Sequence, residues 1–110
     1  MSAFITDEEV ERALDYLRDN ATAAAKARAE RLYVEDYLKV IKAKLMAEHD
    51  NLSAVLQERH ALADDRYLQH LDAIREAVEI DEKHRFLRGA AEAKIEAWRT
   101  MCATERSMKL

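Results

Sequence analysis

Residues 10–45 of the chain read VERALDYLRDNATAAAKARAERLYVEDYLKVIKAKL, without a single Gly or Pro. Apolar residues recur in this segment at alternating steps of three and four, which is the heptad pattern of a coiled-coil helix. The a positions hold Val10, Leu17, Ala24, Arg31, Leu38 and Leu45, and the d positions hold Ala13, Asn20, Ala27, Val34 and Ile41. The pattern predicts one long helix of about 60 Å, too long for a compact monomer.

The ends of this helix carry their own signals. Thr6 followed by Glu9 is a capping box, which predicts a helix start. His49-Asp50-Asn51 is the best stop signal, because Asp and Asn prefer turns to helix interiors. We therefore predict a single helical domain over 1–110, with a first arm 6–49, a connector 50–64 containing one or two helical turns begun by Ser53, and a second arm 65–107.

The second arm has a less regular apolar face. It reads Tyr67, Leu71, Ile74 and Val78, and then Leu87, Ala91, Ile95, Trp98 and Cys102. The step from Val78 to Leu87 does not fit the helical repeat and predicts a phase slip, with a change of packed surface around residues 81–85. Glu82 and Arg85, one turn apart at this slip, form either a half-buried pair that sets register or a surface pair. Gly89 predicts a tight helix crossing, a kink or a break.

The composition excludes other fold classes. Hydrophobic residues make up 49% of the chain and aromatic residues 6%, with one Gly and no Pro. Strand-rich folds need frequent Gly or Pro turns, and nucleotide-binding α/β folds need a glycine-rich loop. The prediction is an all-α fold, a long antiparallel helical hairpin that packs into an oligomeric bundle.

Charge is unevenly distributed along the sequence. The net charge is −4, yet residues 83–110 hold seven basic and three acidic side chains, a local +4 that leaves −8 for residues 1–82. The single cysteine excludes an intrachain disulfide. The chain has no run of 18 apolar residues, and its start lacks the basic flank of a signal peptide. We therefore expect a soluble, intracellular protein without a membrane partner.

Several apolar side chains fall outside the heptad positions and require cover. These are Leu14, Leu32, Tyr33, Val40, Leu68, Ile80 and Phe86. Because helices in water are stabilised mainly by packing, self-association is the simplest way to cover them. We expect a homo-oligomer, a dimer or higher, with another protein as a further partner.

No catalytic, cofactor or metal site is predicted. A two-metal carboxylate site requires an acidic residue three positions before a His on each of two helices, and this spacing occurs once, at Asp81 and His84. Cys102 as a nucleophile, with His84 or His70 as its base, has no supporting local spacing. The sequence therefore favours a non-enzymatic protein.

The C-terminal segment carries four of the six candidate contact residues. Trp98 lies among basic side chains and can stack on a base, but its place on the apolar face of the second arm favours a core or interface anchor. The acidic start of the first arm can imitate a line of phosphates, although helix starts favour acids in any case. The predicted interaction residues are Tyr33, Tyr37, Trp98, Arg99, Arg106 and Lys109.

The chain resembles a family of small all-helical proteins encoded by tailed bacteriophages and prophages. The resemblance covers nearly the whole length and includes Ala13 with Tyr16-Leu17, VEDYLKVIKAKLMAE at 34–48, ERHALADDRY at 58–67, AAEAKIEAWRT at 90–100, and then Arg106, Met108 and Lys109. The resemblance implies an early-region phage protein in the host bacterial cytoplasm, without a known activity or cofactor. It transfers no functional residue to this chain.

These observations lead to one functional hypothesis and two alternatives. The first is a non-enzymatic phage protein that acts through protein contacts as an accessory in phage DNA recombination or replication. The second is a single-stranded DNA-binding protein that uses the basic C-terminal arm. The third is an inhibitor of a host nuclease or defence complex that uses the acidic N-terminal arm.

Overall fold

The computed structural model describes residues 4–109. They form three helices and no strand: α1 is Asp7–Ala47, α2 is Ala54–Ala63 and α3 is Asp65–Met108. The all-α hairpin with a short helical connector is therefore confirmed.

The helix ends follow the predicted signals. The Thr6 hydroxyl accepts a hydrogen bond from the Glu9 backbone N–H at 3.1 Å, as in a capping box. After α1 ends, residues 48–51 form turns. Ser53 caps α2 by accepting from the Leu56 N–H, and Asp64 caps α3 by accepting from the Arg66 N–H at 2.8 Å. Local sequence thus sets where each helix begins.

The described chain divides into two compact units. Unit 1 comprises the described residues up to Ala25 together with those from Glu82 onward, and unit 2 is Lys26–Asp81. In unit 1 the start of α1 lies beside the last turns of α3, where Asp7 contacts Trp98. In unit 2 the second half of α1 lies beside the first half of α3. The two helices are antiparallel within each unit.

The heptad positions of α1 are the ones that pack. Every a and d residue from Val10 to Leu45 is buried or half-buried, including the polar Asn20 and Arg31. All seven apolar side chains predicted to lie outside these positions are exposed. The heptad pattern therefore identified the packed face of α1 correctly.

In α3 the packed face differs from the predicted one. Leu71 and Leu87, both assigned to the packed face, are 39% and 44% exposed. Buried and half-buried residues follow one heptad through Tyr67, His70, Ile74, Ala77, Asp81 and His84, and again through Ala91, Ile95, Trp98 and Cys102. Residues 85–90 between these two runs are all exposed, so the packed face is interrupted close to the predicted slip. The boundary between the two units also falls here, after Asp81.

Gly89 neither breaks α3 nor allows a tight crossing within the chain. The helix continues through it, and a Cβ atom added at this position meets nothing within 4 Å. The predicted break at Gly89 is therefore wrong, and no other part of the described chain crosses closely at this residue; the kink stays a prediction.

The buried core of the described chain is thin. The buried residues are Val10, Ala13, Val34, Leu45, Ala61, Ala77 and Ala91. More than half of them are alanines, and no large side chain is completely buried. Burial of large apolar side chains supplies most of the folding free energy of a protein. A single copy of this chain buries few such side chains and therefore gains little free energy from burial.

Candidate functional site

A charge pair joins α1 to α3 at heptad positions in unit 2. The Arg31 guanidinium lies 3.1 Å from the Asp81 carboxylate and also pairs with Glu35 at 3.0 Å on its own helix. The Arg31 and Asp81 side chains are 29% and 15% exposed. Charges at such positions specify the register of two helices, because a shifted pairing leaves them desolvated without partners.

The predicted pair of Glu82 and Arg85 is half-buried on one side only. Its atoms lie 3.0 Å apart, with the Glu82 side chain 31% exposed and the Arg85 side chain 66% exposed. Contacts made on the exposed side contribute little to stability. Sequence reasoning missed the pair of Arg31 with Asp81, which joins α1 to α3. The available signal was a basic and an acidic residue, each at a heptad position of opposite arms.

Tyr33 and Tyr37 belong to an aromatic cluster in unit 2. Their rings stack with centroids 5.8 Å apart, and Tyr37 also contacts the His70 ring at 5.8 Å. His70 Nε2 lies 2.6 Å from the Val34 carbonyl oxygen, which fixes the ring against α1. Lys44 donates to the Tyr37 hydroxyl at 3.3 Å. Tyr33 is the exposed member of this cluster, and Tyr37 is half-buried.

Arg66 links the end of α1 to the start of α3. Its guanidinium donates to both Glu48 carboxylate oxygens, at 2.9 and 2.8 Å, and to the Asp64 carboxylate. These charged hydrogen bonds lower the pKa of Glu48 and the pKa of Asp64, and raise the pKa of Arg66. The cluster sets the geometry of the connector and faces solvent.

Two further contacts hold α2 in unit 2. Lys42 of α1 pairs with Glu58 of α2 at 3.0 Å. The His49 and His60 rings stack with centroids 4.4 Å apart. α2 is therefore anchored to the end of α1 at two points.

Trp98 is an anchor of unit 1. Its half-buried indole N–H donates to the Asp7 carboxylate at 3.0 Å. Around it, Arg99, Cys102 and Arg106 line an open hollow of about 480 Å³ on α3. Arg99 pairs with Glu96 at 3.4 Å, and Arg106 and Lys109 are exposed. The predicted C-terminal residues are thus brought together along one helix end.

The charge segregation seen in the sequence is compensated in unit 1. The six acidic side chains at the start of α1 share this unit with the basic end of α3. Among its described residues, unit 1 contains nine Lys or Arg and ten Asp or Glu. The described residues of unit 1 therefore carry a formal net charge of −1.

Two depressions lie next to each other on α3 in unit 1. A groove of about 220 Å³ is formed with α1 by small and apolar side chains, chiefly Ala13, Tyr16, Leu87 and Ala90. A shallow hollow of about 490 Å³ lies over Gly89 and also reaches Ala90. The groove is smaller than the roughly 300 Å³ at which small-molecule sites begin, and its size suits inserted side chains.

The residues considered for metal or nucleophilic chemistry are not assembled into a site. No group of three or more His, Cys, Asp or Glu that could hold a metal occurs within residues 4–109. Asp81 is engaged by Arg31, and the Nδ1 atom of His84 is buried without a hydrogen-bond partner. His84 and Cys102 lie 18 residues apart on one continuous helix, which separates them by about 27 Å.

Comparisons with models of protein families, with curated proteins and with solved structures found no match. Within the described chain, no helix combines the length and apolar character needed to cross a membrane.

Proposed function

We propose that this chain is a non-enzymatic helical hairpin that acts through protein–protein contacts and associates with itself. The observation that carries this proposal is that, among residues 4–109, fourteen large hydrophobic side chains are exposed beside a core of seven small or medium ones. Exposed apolar surface of this extent is typical of interaction surfaces rather than of solitary globules.

The biological setting that we propose is phage DNA recombination or replication, on the basis of the family resemblance. Direct binding of single-stranded DNA through Trp98 is the less favoured alternative. A stacking platform requires a free ring face in a basic groove, whereas this indole is half-buried and bonded to Asp7. The near balance of charge in unit 1 likewise favours contacts with proteins over contacts with the phosphate backbone of a nucleic acid.

Sedimentation analysis over a range of micromolar concentrations tests self-association. We expect a dimer or larger species, and a monomer at every concentration would contradict the proposal. Fluorescence anisotropy with a labelled single-stranded oligonucleotide at low salt distinguishes our proposal from the DNA-binding alternative. The alternative requires that the oligonucleotide binds, that its affinity falls steeply as salt is added, and that Trp98→Ala weakens it. Our proposal predicts no binding.

A further inference from the structure

Phe86 and Gly89 lie on the outer surface of α3 in unit 1, where the chain makes little use of either. Phe86 is 70% exposed, and its ring contact is with the neighbouring Arg85 guanidinium, 5.8 Å from the ring centroid. Gly89 lies inside a continuous helix, where glycine is less stable than alanine, although nothing obstructs a Cβ atom there. Folding of a single copy therefore explains neither residue.

The two residues have complementary shapes. The 490 Å³ hollow is lined by Phe86 itself, by Gly89 and Ala90, which lie less than a turn and about one turn further along α3, and by the charged side chains of Arg85, Arg88 and Glu92. The exposed Phe86 ring therefore borders the hollow beside the two small residues. A projecting ring and a hollow on the same helix allow two copies to fit each other reciprocally. In a two-fold symmetric contact, residue i touches residue j of the partner and residue j touches residue i.

We propose that this patch is a homodimer interface in which the α3 helices of two copies cross antiparallel, about a two-fold axis between residues 88 and 89. Phe86 of each copy then fills the hollow over Gly89 and Ala90 of the other copy. This inference rests on the self-association proposed above and adds the place and the geometry of the contact.

Charge complementarity selects a second copy in this orientation. Arg85 and Glu92 lie seven residues apart on α3, about 10 Å along its axis, and Arg85 pairs with Glu82 rather than with Glu92 within one copy. The proposed axis brings Arg85 of each copy level with Glu92 of the other, which gives two opposite-charge pairs against one approach of the two Arg88 side chains at the axis. A parallel crossing would instead place each of these charges beside its own equivalent. Glu92 makes no ion pair within the described residues, so it is available for this contact.

Two substitutions test the fit of ring and hollow by sedimentation equilibrium. Phe86→Ala removes the ring, and Gly89→Leu fills the hollow. We expect each to raise the dimer dissociation constant at least tenfold, because every dimer contains two such contacts. Leu68→Ala, which truncates an exposed apolar side chain of α3 in unit 2, is the matched control and should change the constant less than twofold.

Circular dichroism accompanies these measurements and separates interface effects from misfolding. Gly89→Leu should keep or increase the helix content, since leucine favours helices more than glycine does. A wild-type dimer that Phe86→Ala and Gly89→Leu leave unchanged would overturn the interface and leave the proposed function in place. A wild-type chain that is monomeric throughout would overturn both.

A charge exchange tests the antiparallel orientation. Arg85→Glu and Glu92→Arg should each weaken the homodimer, because like charges then meet across the axis. The double variant Arg85→Glu with Glu92→Arg again joins opposite charges across an antiparallel axis, so we expect its dimer dissociation constant in sedimentation equilibrium to return to the wild-type value. In a parallel crossing each position meets its own equivalent, so neither single variant would weaken the dimer. Single variants as tight as wild type, or a double variant no tighter than the single variants, would overturn the crossing.

Discussion

The Arg31 guanidinium on α1 lies 3.1 Å from the Asp81 carboxylate on α3, and both residues occupy heptad positions that apolar side chains usually fill. This pair explains why α3 carries a charged residue at position 81 although the helix is packed against α1 there. Removing a charge from water costs free energy. An opposite charge at the matching position of the other helix offsets this cost.

Breaking this pair should cost more than breaking a surface pair. We expect Asp81→Asn to lower the free energy of unfolding by about 1–2 kcal/mol, because Arg31 loses a charged partner in a half-buried position. Arg75→Ala is the control, since its pair with Asp72 is more than two-thirds exposed on both sides, and it should cost less than about 0.5 kcal/mol. Urea denaturation at fixed protein concentration measures both values.

The double variant Arg31→Met with Asp81→Met should recover most of the stability lost by Asp81→Asn, because apolar side chains replace both charges at once. Its register should be less well defined, visible as broadened NMR signals from unit 2. Equal free energies of unfolding for Asp81→Asn and Arg75→Ala would show that the pair of Arg31 with Asp81 does not stabilise the hairpin.

The contact between Trp98 and Asp7 predicts a difference between two acids in the first turn of α1. Asp7→Ala should lower stability by about 1 kcal/mol more than Glu8→Ala, because only Asp7 accepts the indole hydrogen bond while both interact with the helix dipole. Asp7→Ala should also shift the emission of the single tryptophan to longer wavelength. Identical shifts in the two variants would argue against the contact.

Gly89→Ala should stabilise the isolated hairpin by about 0.5–1 kcal/mol, because alanine favours the helix and its Cβ meets nothing within 4 Å. The measurement belongs in the Phe86→Ala background, where dimer contacts do not contribute. The midpoint of thermal unfolding should rise by several degrees. A fall in the midpoint would show that Gly89 is needed within a single copy.

The Arg66 cluster predicts a stability difference that depends on pH. Glu48 and Asp64 have a lowered pKa in the folded state relative to their ordinary values of 4.5 and 3.8. Their contribution is therefore complete above about pH 4.5 and is lost as the pH falls through the lowered folded-state values. Wild type should be more stable than Arg66→Gln at neutral pH, and the difference should shrink on acidification.

Arg59→Gln is the control for this experiment, because Arg59 is exposed and makes no ion pair within the described residues. Its effect on thermal stability should not change between neutral and acidic pH. A constant difference between wild type and Arg66→Gln across the same range would rule out the linkage.

The sequence by itself determined the helices, their capped ends and the packed face of α1. These features follow from residues close together in the chain, since capping boxes span three residues and the heptad repeats every seven. The exposure of Tyr33 and Phe86, which lie off the heptad positions, follows for the same reason.

Only the tertiary structure decided how polar residues are accommodated inside the packed face. Arg31 and Asp81 are 50 residues apart in sequence, so neither local pattern reveals that the charges meet. The same holds for Trp98 with Asp7, and for the half-buried heptad positions of α3 that Asp81 and His84 occupy. The desolvation of a charge depends on which residues pack against it. Those residues are distant in sequence, so the spacing of residues along one helix does not reveal them.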